Sequence, residues 1–259
     1  SAPFSSGESN VAVGKSAFAG FTTGYSNTVM GVNAGDAITT GYENTIIGQA
    51  AGTNLVGGNN NVMIGQLAGY ATTGVSGTVI IGEQAAYTGN MTSDADGTVS
   101  IGSSAGKNIT SGIGNVSVGF GALALENDGD YNTAVGHQAL SAQTGTSGIV
   151  GNTAVGYQAG LNITTAIGNV AVGAYALHGV TANGACVGIG YEAGKFNQTG
   201  TGNVYIGYQA GLGSFENSHS GNVGIGYYAL RVVTTGAGNV VLGQYAGDSV
   251  TSGGDNVII

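Results

Sequence analysis

The stretch Gly202–Gly211, GNVYIGYQAG, decides the fold. Its glycines bracket a short apolar run, as in a loop that cradles phosphate. A loop of that kind occurs once, between a strand and a helix. Here the pattern Asn–(Val/Thr)–x–(Val/Ile)–Gly–x–x–Ala–(Gly/Leu) recurs along the chain, with central glycines at Gly14, Gly31, Gly48, Gly65, Gly82, Gly102, Gly119, Gly136, Gly156, Gly173, Gly190, Gly207, Gly226 and Gly243. Ten of the thirteen gaps are 17 residues, the others are 20, 20 and 19, and a fifteenth unit opens at Asn256-Val257-Ile258-Ile259. A fixed period in this range marks a solenoid, each repeat being one coil stacked on the next.

The residues flanking x are nearly always β-branched, as in Val204 and Ile206, Thr45 and Ile47, or Val170 and Val172. They read as a short strand whose flanking pair turns into the coil. Seventeen residues cannot hold a strand, a crossover helix and their turns, so two short strands per coil are expected. The second would carry Ile38, Leu55, Ile109, Ile163, Val180, Val233 and Val250 inward, seven places after their central glycines. The Ala three places after the glycine is present in all fourteen complete units and suits a tight corner. The opening Asn, present in 12 of 15 units and replaced by Thr78, Thr98 and Cys186, suits a ladder of side chains bonded along the stack. The expected fold is all-β, a parallel β-solenoid of about 15 coils forming one domain over residues 1–259, with 1–9 as a lead-in.

If the flanking pair faces inward, the residue between them faces out. That position holds Val29, Ile46, Met63, Ile80, Tyr205, Val241 and Ile258 among others, and never a charge. An outward apolar stripe of this length usually marks an interface. The sequence thus predicts association of the chain with itself along the stack, as a side-by-side homotrimer. Tyr191, Tyr208, Tyr227, Tyr228 and Tyr245 gather just after the central glycines, where exposed rings would form a recognition surface or a packing ladder.

Composition narrows the partners. The chain has 52 Gly, one Pro, no Trp and 7% charged residues, against roughly 25% in a typical soluble domain. At 42% apolar it is too hydrophobic for simple disorder. Thirteen acidic and four basic residues give a net charge of −9, and Lys15, Lys107, Lys195 and Arg231 form no basic stripe. Nucleic acid is therefore not an expected partner. No run approaches the roughly 18 apolar residues of a membrane span, so no membrane insertion is expected of this segment. The opening residues SAPFSSGES carry no basic stretch followed by an apolar one, so no secretion signal is expected within them. The single Cys186 excludes an intrachain disulfide framework.

The units NVAVG (Asn10–Gly14), NVSVG (Asn115–Gly119), NTAVG (Asn132–Gly136 and Asn152–Gly156) and NVYIG (Asn203–Gly207) resemble the head repeats of YadA-type trimeric autotransporter adhesins, and similar repeats of bacteriophage tail-fibre proteins. The resemblance spans nearly the whole chain, although this repeat is longer than the usual head repeat. It implies a left-handed parallel β-roll, a homotrimer, and a non-enzymatic role in attachment at a bacterial cell surface or on a virion. The receptor would be a host-surface protein or glycan. The rival expectation is a self-assembling extracellular filament, in which end-to-end contact completes the fifteenth unit.

Three further chemistries are weaker. A hexapeptide-type acyltransferase would need a catalytic His, for which His137, His178 and His219 are candidates, but each coil carries one hexad rather than three. An ice-binding surface would use the Thr column Thr22, Thr39, Thr73, Thr110, Thr144, Thr164, Thr181, Thr234 and Thr251, a column broken at Val56, Asn90, Asn127, Gln198 and Phe215. No cofactor is expected. Calcium is the one ion the acidic loops suggest, through Asp94 and Asp96 or Asp128 and Asp130. The longer connections at 87–97, 141–151 and 213–221 are the expected contact loops.

Overall fold

The computed structural model describes residues 7–145, 147–182, 184–214 and 218–259. Residues 1–6 of the lead-in, Phe215, and parts of the connections at 141–151 and 213–221 lie outside the described residues. The chain is a parallel β-solenoid built on the 17-residue spacing, and it divides into two compact units, residues 1–131 and 132–259. The first holds β1 (Val11–Val13), β2 (Thr28–Met30), β3 (Thr45–Ile47), β4 (Val62–Ile64), β5 (Val79–Ile81), β6 (Val99–Ile101), β7 (Val116–Val118) and the two-residue β8 (Gly129–Asp130). The second holds β9 (Thr133–Val135), β10 (Gly148–Ile149), β11 (Thr153–Val155), β12 (Val170–Val172), β13 (Val187–Ile189), β14 (Val204–Ile206), β15 (Val223–Ile225), β16 (Val240–Leu242) and β17 (Val257–Ile258).

Inside each unit the repeat strands pair in parallel with like positions in register, for example Thr45↔Val62, Ile46↔Met63 and Ile47↔Ile64. Unequal gaps do not disturb this. The 19-residue step from β14 to β15 still aligns Val204 with Val223 and Tyr205 with Gly224, so the extra residues are accommodated in the connection. Coil-to-coil bonding continues beyond the strands: the Gln209 amide donates to the Tyr191 carbonyl at 2.8 Å, and the Gly211 amide to the Ala229 carbonyl at 2.9 Å.

The expected second strand does not form. Ile38, Leu55, Ile109, Ile163, Val180 and Val233 are fully buried, as expected of the inward column, but the backbone there is turn and bend. The reason lies in the preceding residues. Gly207 (φ +132°), Gln209 (φ +50°) and Gly211 (φ +58°) alternate with ordinary residues, and positive φ at every second position curls the chain too tightly to extend. The central glycine is obligatory twice over. Besides its φ, a Cβ on Gly173 would stand 2.6 Å from the Gly190 carbonyl oxygen of the next coil.

The strand faces are the reverse of the sequence reading. Val29, Ile46, Met63, Ile80, Tyr205 and Val241 are fully buried inside the coil of their own chain, and Ile258 is partly buried. The flanking residues are the ones left half-buried or exposed, with the pattern intermediate–buried–intermediate in β3 to β7. Period two explains it. Asn44, Asn61, Asn203 and their equivalents are buried, so the residue two places later shares their face and the pair flanking that residue points away.

Core volume is matched coil by coil. Where x is large, the residue four places after the central glycine is small: Ile46 with Gly52, Met63 with Gly69, Tyr205 with Gly211, and Ile80 with Ala86. Where x is small, that residue is often Leu: Ser117 with Leu123, Ala134 with Leu140, Ala171 with Leu177, Gly224 with Leu230. Leu177 also fills the adjoining coil, since a Cβ on Gly188 would lie 2.8 Å from its Cγ and one on Gly194 2.8 Å from its Cδ2. This is close packing achieved by exchange of volume between positions.

Candidate interaction surfaces

The Asn ladder is present and internal. Asn44 Nδ2 donates to Asn27 Oδ1 at 3.0 Å and to the Gly58 carbonyl at 2.8 Å, while Asn44 Oδ1 accepts the amide of Asn61 at 3.1 Å and its Nδ2 at 3.0 Å. Each rung therefore bonds the coil before it, the coil after it and a carbonyl 14 residues on. Thr78 substitutes by donating its hydroxyl to Asn61 Oδ1 at 2.7 Å. Cys186 fills its rung as a buried thiol whose sulfur lies 3.4 Å from the Gly200 carbonyl, and burial pushes that thiol up from its ordinary pKa. A raised thiol pKa is the opposite of what a reactive cysteine needs.

The inversion of the strand faces moves the charge-free lane rather than abolishing it. In the first unit the outer columns run Thr28, Thr45, Val62, Val79, Val99, Val116 and Met30, Ile47, Ile64, Ile81, Ile101, Val118. In the second they run Thr133, Thr153, Val170, Val187, Val204, Val223, Val240 and Val135, Val155, Val172, Ile189, Ile206, Ile225, Leu242. None is charged, and Met30, Val155, Ile189, Ile225, Val240 and Leu242 are among the exposed large hydrophobics. Of the residues expected from sequence at an interface, Val29, Ile46, Met63, Ile80, Tyr205 and Val241 are instead unavailable to a partner, because the coil itself buries them.

The tyrosines gather in the second unit, Tyr191, Tyr208 and Tyr227 in a column one place after their central glycines and Tyr228 and Tyr245 beside it, two places after. Tyr191 and Tyr208 stack at 5.2 Å and 14°, Tyr208 and Tyr227 at 5.1 Å and 14°, and Tyr245 meets Tyr227 edge-on at 5.6 Å. Tyr228 sits against Tyr227 at 4.3 Å, and the Arg231 guanidinium lies 4.8 Å from the Tyr228 ring centroid. A hydrogen bond with Tyr228, with burial and neighbouring phenols, pushes Tyr227 up to about 12. The rings largely cover one another's faces, so they are a packing ladder and an exposed surface at once.

Two of the four aspartates suggested as calcium ligands have structural partners. Asp96 Oδ1 accepts the Ser76 amide at 2.6 Å, and Asp130 Oδ1 accepts the Ile113 amide at 2.9 Å. Asp94 is exposed in the short 3-10 turn Ser93–Ala95, and Asp128 Oδ1 is buried with no hydrogen-bond partner among the described residues. Glu126, fully buried, accepts the Asn127 and Gly129 amides at 2.9 and 2.8 Å and so shapes its loop. Among the described residues no three His, Cys, Asp or Glu side chains converge as metal ligands.

Six of the nine hydroxyls in the Thr column are bonded to the backbone, and Thr73 donates to Asn90 Oδ1 at 2.8 Å. Thr22, Thr39, Thr110, Thr164, Thr181 and Thr234 each donate to a backbone carbonyl of the next coil at 2.9–3.3 Å. As for the histidines, His137 is exposed beside Tyr157, His178 is half-buried, and His219 is buried.

Sequence reasoning missed two features. One is the pair Tyr205–His219: the Tyr205 hydroxyl lies 2.7 Å from His219 Nδ1 and 3.2 Å from Asn203 Oδ1. The arrangement that satisfies most groups has His219 Nδ1–H donating to the phenol oxygen and the phenol donating to Asn203. His219 Nε2 is then a buried lone pair without a partner among the described residues. Burial holds His219 down at about 4 and raises the Tyr205 phenol. The second is a groove of about 380 Å³ in the second unit, beside Phe196 and Lys195. No family model matches the chain, and no curated protein matches it. No helix among the described residues is long and apolar enough to cross a membrane.

Proposed function

We propose that this chain is a non-enzymatic attachment protein, an adhesin or tail-fibre-like element, whose left-handed coils assemble side by side as a homotrimer outside the cell or on a virion. The observation that carries the reading is the outer sheet face, two columns of Val, Ile, Thr, Met and Leu without a charge. Parallel sheets occur almost only with both faces covered, and this one has its own core on one side alone. The occupant that fits is another copy of the same face. Columns repeating at one coil rise match themselves wherever they are laid in parallel, and closed symmetry uses each face once. The likeness of the NVAVG and NTAVG units to head repeats of trimeric adhesins supports the same arrangement and the attachment role.

Light scattering tests the assembly. The wild-type chain is expected at three times its own mass, and Ile64→Asp combined with Ile189→Asp is expected at one, with the circular-dichroism spectrum unchanged. A wild-type mass of one chain at micromolar concentration would overturn the trimer, and a mass that climbs with concentration would favour the filament. Attachment itself is read by retention of chain-coated beads on host cells, and retention no greater than that of albumin-coated beads would refute it.

A further inference from the structure

We propose that the groove beside Phe196 in the second unit is a binding site for a neutral sugar of a receptor glycan. The proposal rests on the attachment reading and names the class of ligand that this chain would take. The groove has an apolar wall at Phe196 and a backbone floor at Gly179, where a Cβ would stand 2.6 Å from the Lys195 carbonyl oxygen. Asn162 and Gln198 stand at its margin, and neither side-chain amide has a hydrogen-bond partner among the described residues. An amide offers a donor and an acceptor side by side, the complement of two neighbouring hydroxyls. The part of Phe196 that lines the groove gives the C–H groups of a pyranose an apolar surface to pack on. Together these are the few directed polar groups on an apolar wall that a small-ligand site requires.

Electrostatics select the neutral class. Lys195 Nζ is held 2.6 Å from Glu192 Oε1 and lies 4.8 Å from the Tyr175 ring and 5.2 Å from the Phe196 ring. Gln209 donates to the other Glu192 oxygen at 2.6 Å, which fixes the pair. The ammonium at the groove is thus matched before any ligand arrives, and burial and that nearby ammonium keep His178 below its usual pKa. The Thr164 and Thr181 hydroxyls on the groove already donate to backbone carbonyls, so they remain only as acceptors. Tyr175, 5.7 Å from His178, joins the groove to the tyrosine column, along which further sugars of a chain would lie.

Saturation-transfer NMR of the full chain with cellohexaose, maltohexaose, mannohexaose, chitohexaose and hexagalacturonate tests the site. At least one neutral hexamer is expected to bind. Phe196→Ala and Asn162→Ala should each weaken it tenfold or more without moving the melting midpoint of the Asn162 variant, whose side chain is exposed. Failure of all four neutral hexamers, full binding by both variants, or a preference for hexagalacturonate would overturn the proposal. Bead retention on cells that survives Phe196→Ala and Asn162→Ala would overturn the groove as the receptor site while leaving attachment intact. Loss of retention by wild type would strike at attachment instead.

Discussion

Tyr205 shows how much one residue's environment must yield. A Cβ on Gly194 would stand 3.0 Å from its ring and one on Gly224, in the next strand, 3.2 Å, and a Cβ on Gly211 would overlap it. The phenol then needs a partner, which His219 supplies from a connection outside the repeat. Tyr205→Phe removes the hydroxyl and leaves His219 Nδ1 buried and unpaired, a loss of about 1–3 kcal/mol readable as a lower denaturant midpoint. His219 also carries a pH dependence. Its folded pKa of about 4 lies below the ordinary 6.5, so the unfolded chain binds the proton more readily. Its stability contribution is complete above pH 6.5 and is lost as pH falls toward 4, by up to about 3 kcal/mol. His219→Phe should flatten that limb of the melting curve relative to wild type, His137 and His178 being common to both. Identical acid limbs would show that His219 charges without cost. This pair was not legible in the sequence, because His219 belongs to a 19-residue unit with no equivalent column to compare.

Among elements, the strand and the Asn ladder were legible and the strand's facing was not. The repeated Asn, the central Gly and the apolar column seven places later all sit where their chemistry suggested. The flanking Val and Ile misled because β-branched side chains signal both strand and core. The corrective was two residues away: an Asn bonded along the stack must be internal, and period two then puts x inside with it. That logic also ranks substitutions on the ladder. Asn44→Ala deletes the acceptor for two donors of Asn61 and the donor to Gly58, all within the core. A loss of about 3 kcal/mol or more is expected, because buried groups left unpaired cost about 1–3 kcal/mol each. Asn44→Thr should recover part of it, since Thr78 serves as a rung with its hydroxyl. Equal midpoints for the two variants would mean that the rung's hydrogen bonds contribute nothing beyond its volume.

At the scale of the whole molecule, the repeat makes stability a sum of coils and of contacts between successive coils. Like positions pair with like within each unit, as Thr28↔Thr45 and Thr45↔Val62 illustrate, so the fold depends on register more than on which coil occupies a place. Deleting residues 32–48 removes one 17-residue period and joins Gly31 to Gln49. The Asn, Ala and inward columns stay aligned: Val29 then faces Met63, and Gly52 provides the room that Gly35 gave. Deleting 32–40 removes about half a period and sets turn residues against strand residues. The first variant is expected to keep the wild-type circular-dichroism spectrum per residue and to lose only a few degrees of melting midpoint. The second should lose cooperative melting of the first unit, because a coil out of register buries neither its Asn nor its x residue. If the 17-residue deletion is as damaging as the shorter one, then matched volumes such as Ile46 against Gly52 and Met63, and not the period, hold the coils together.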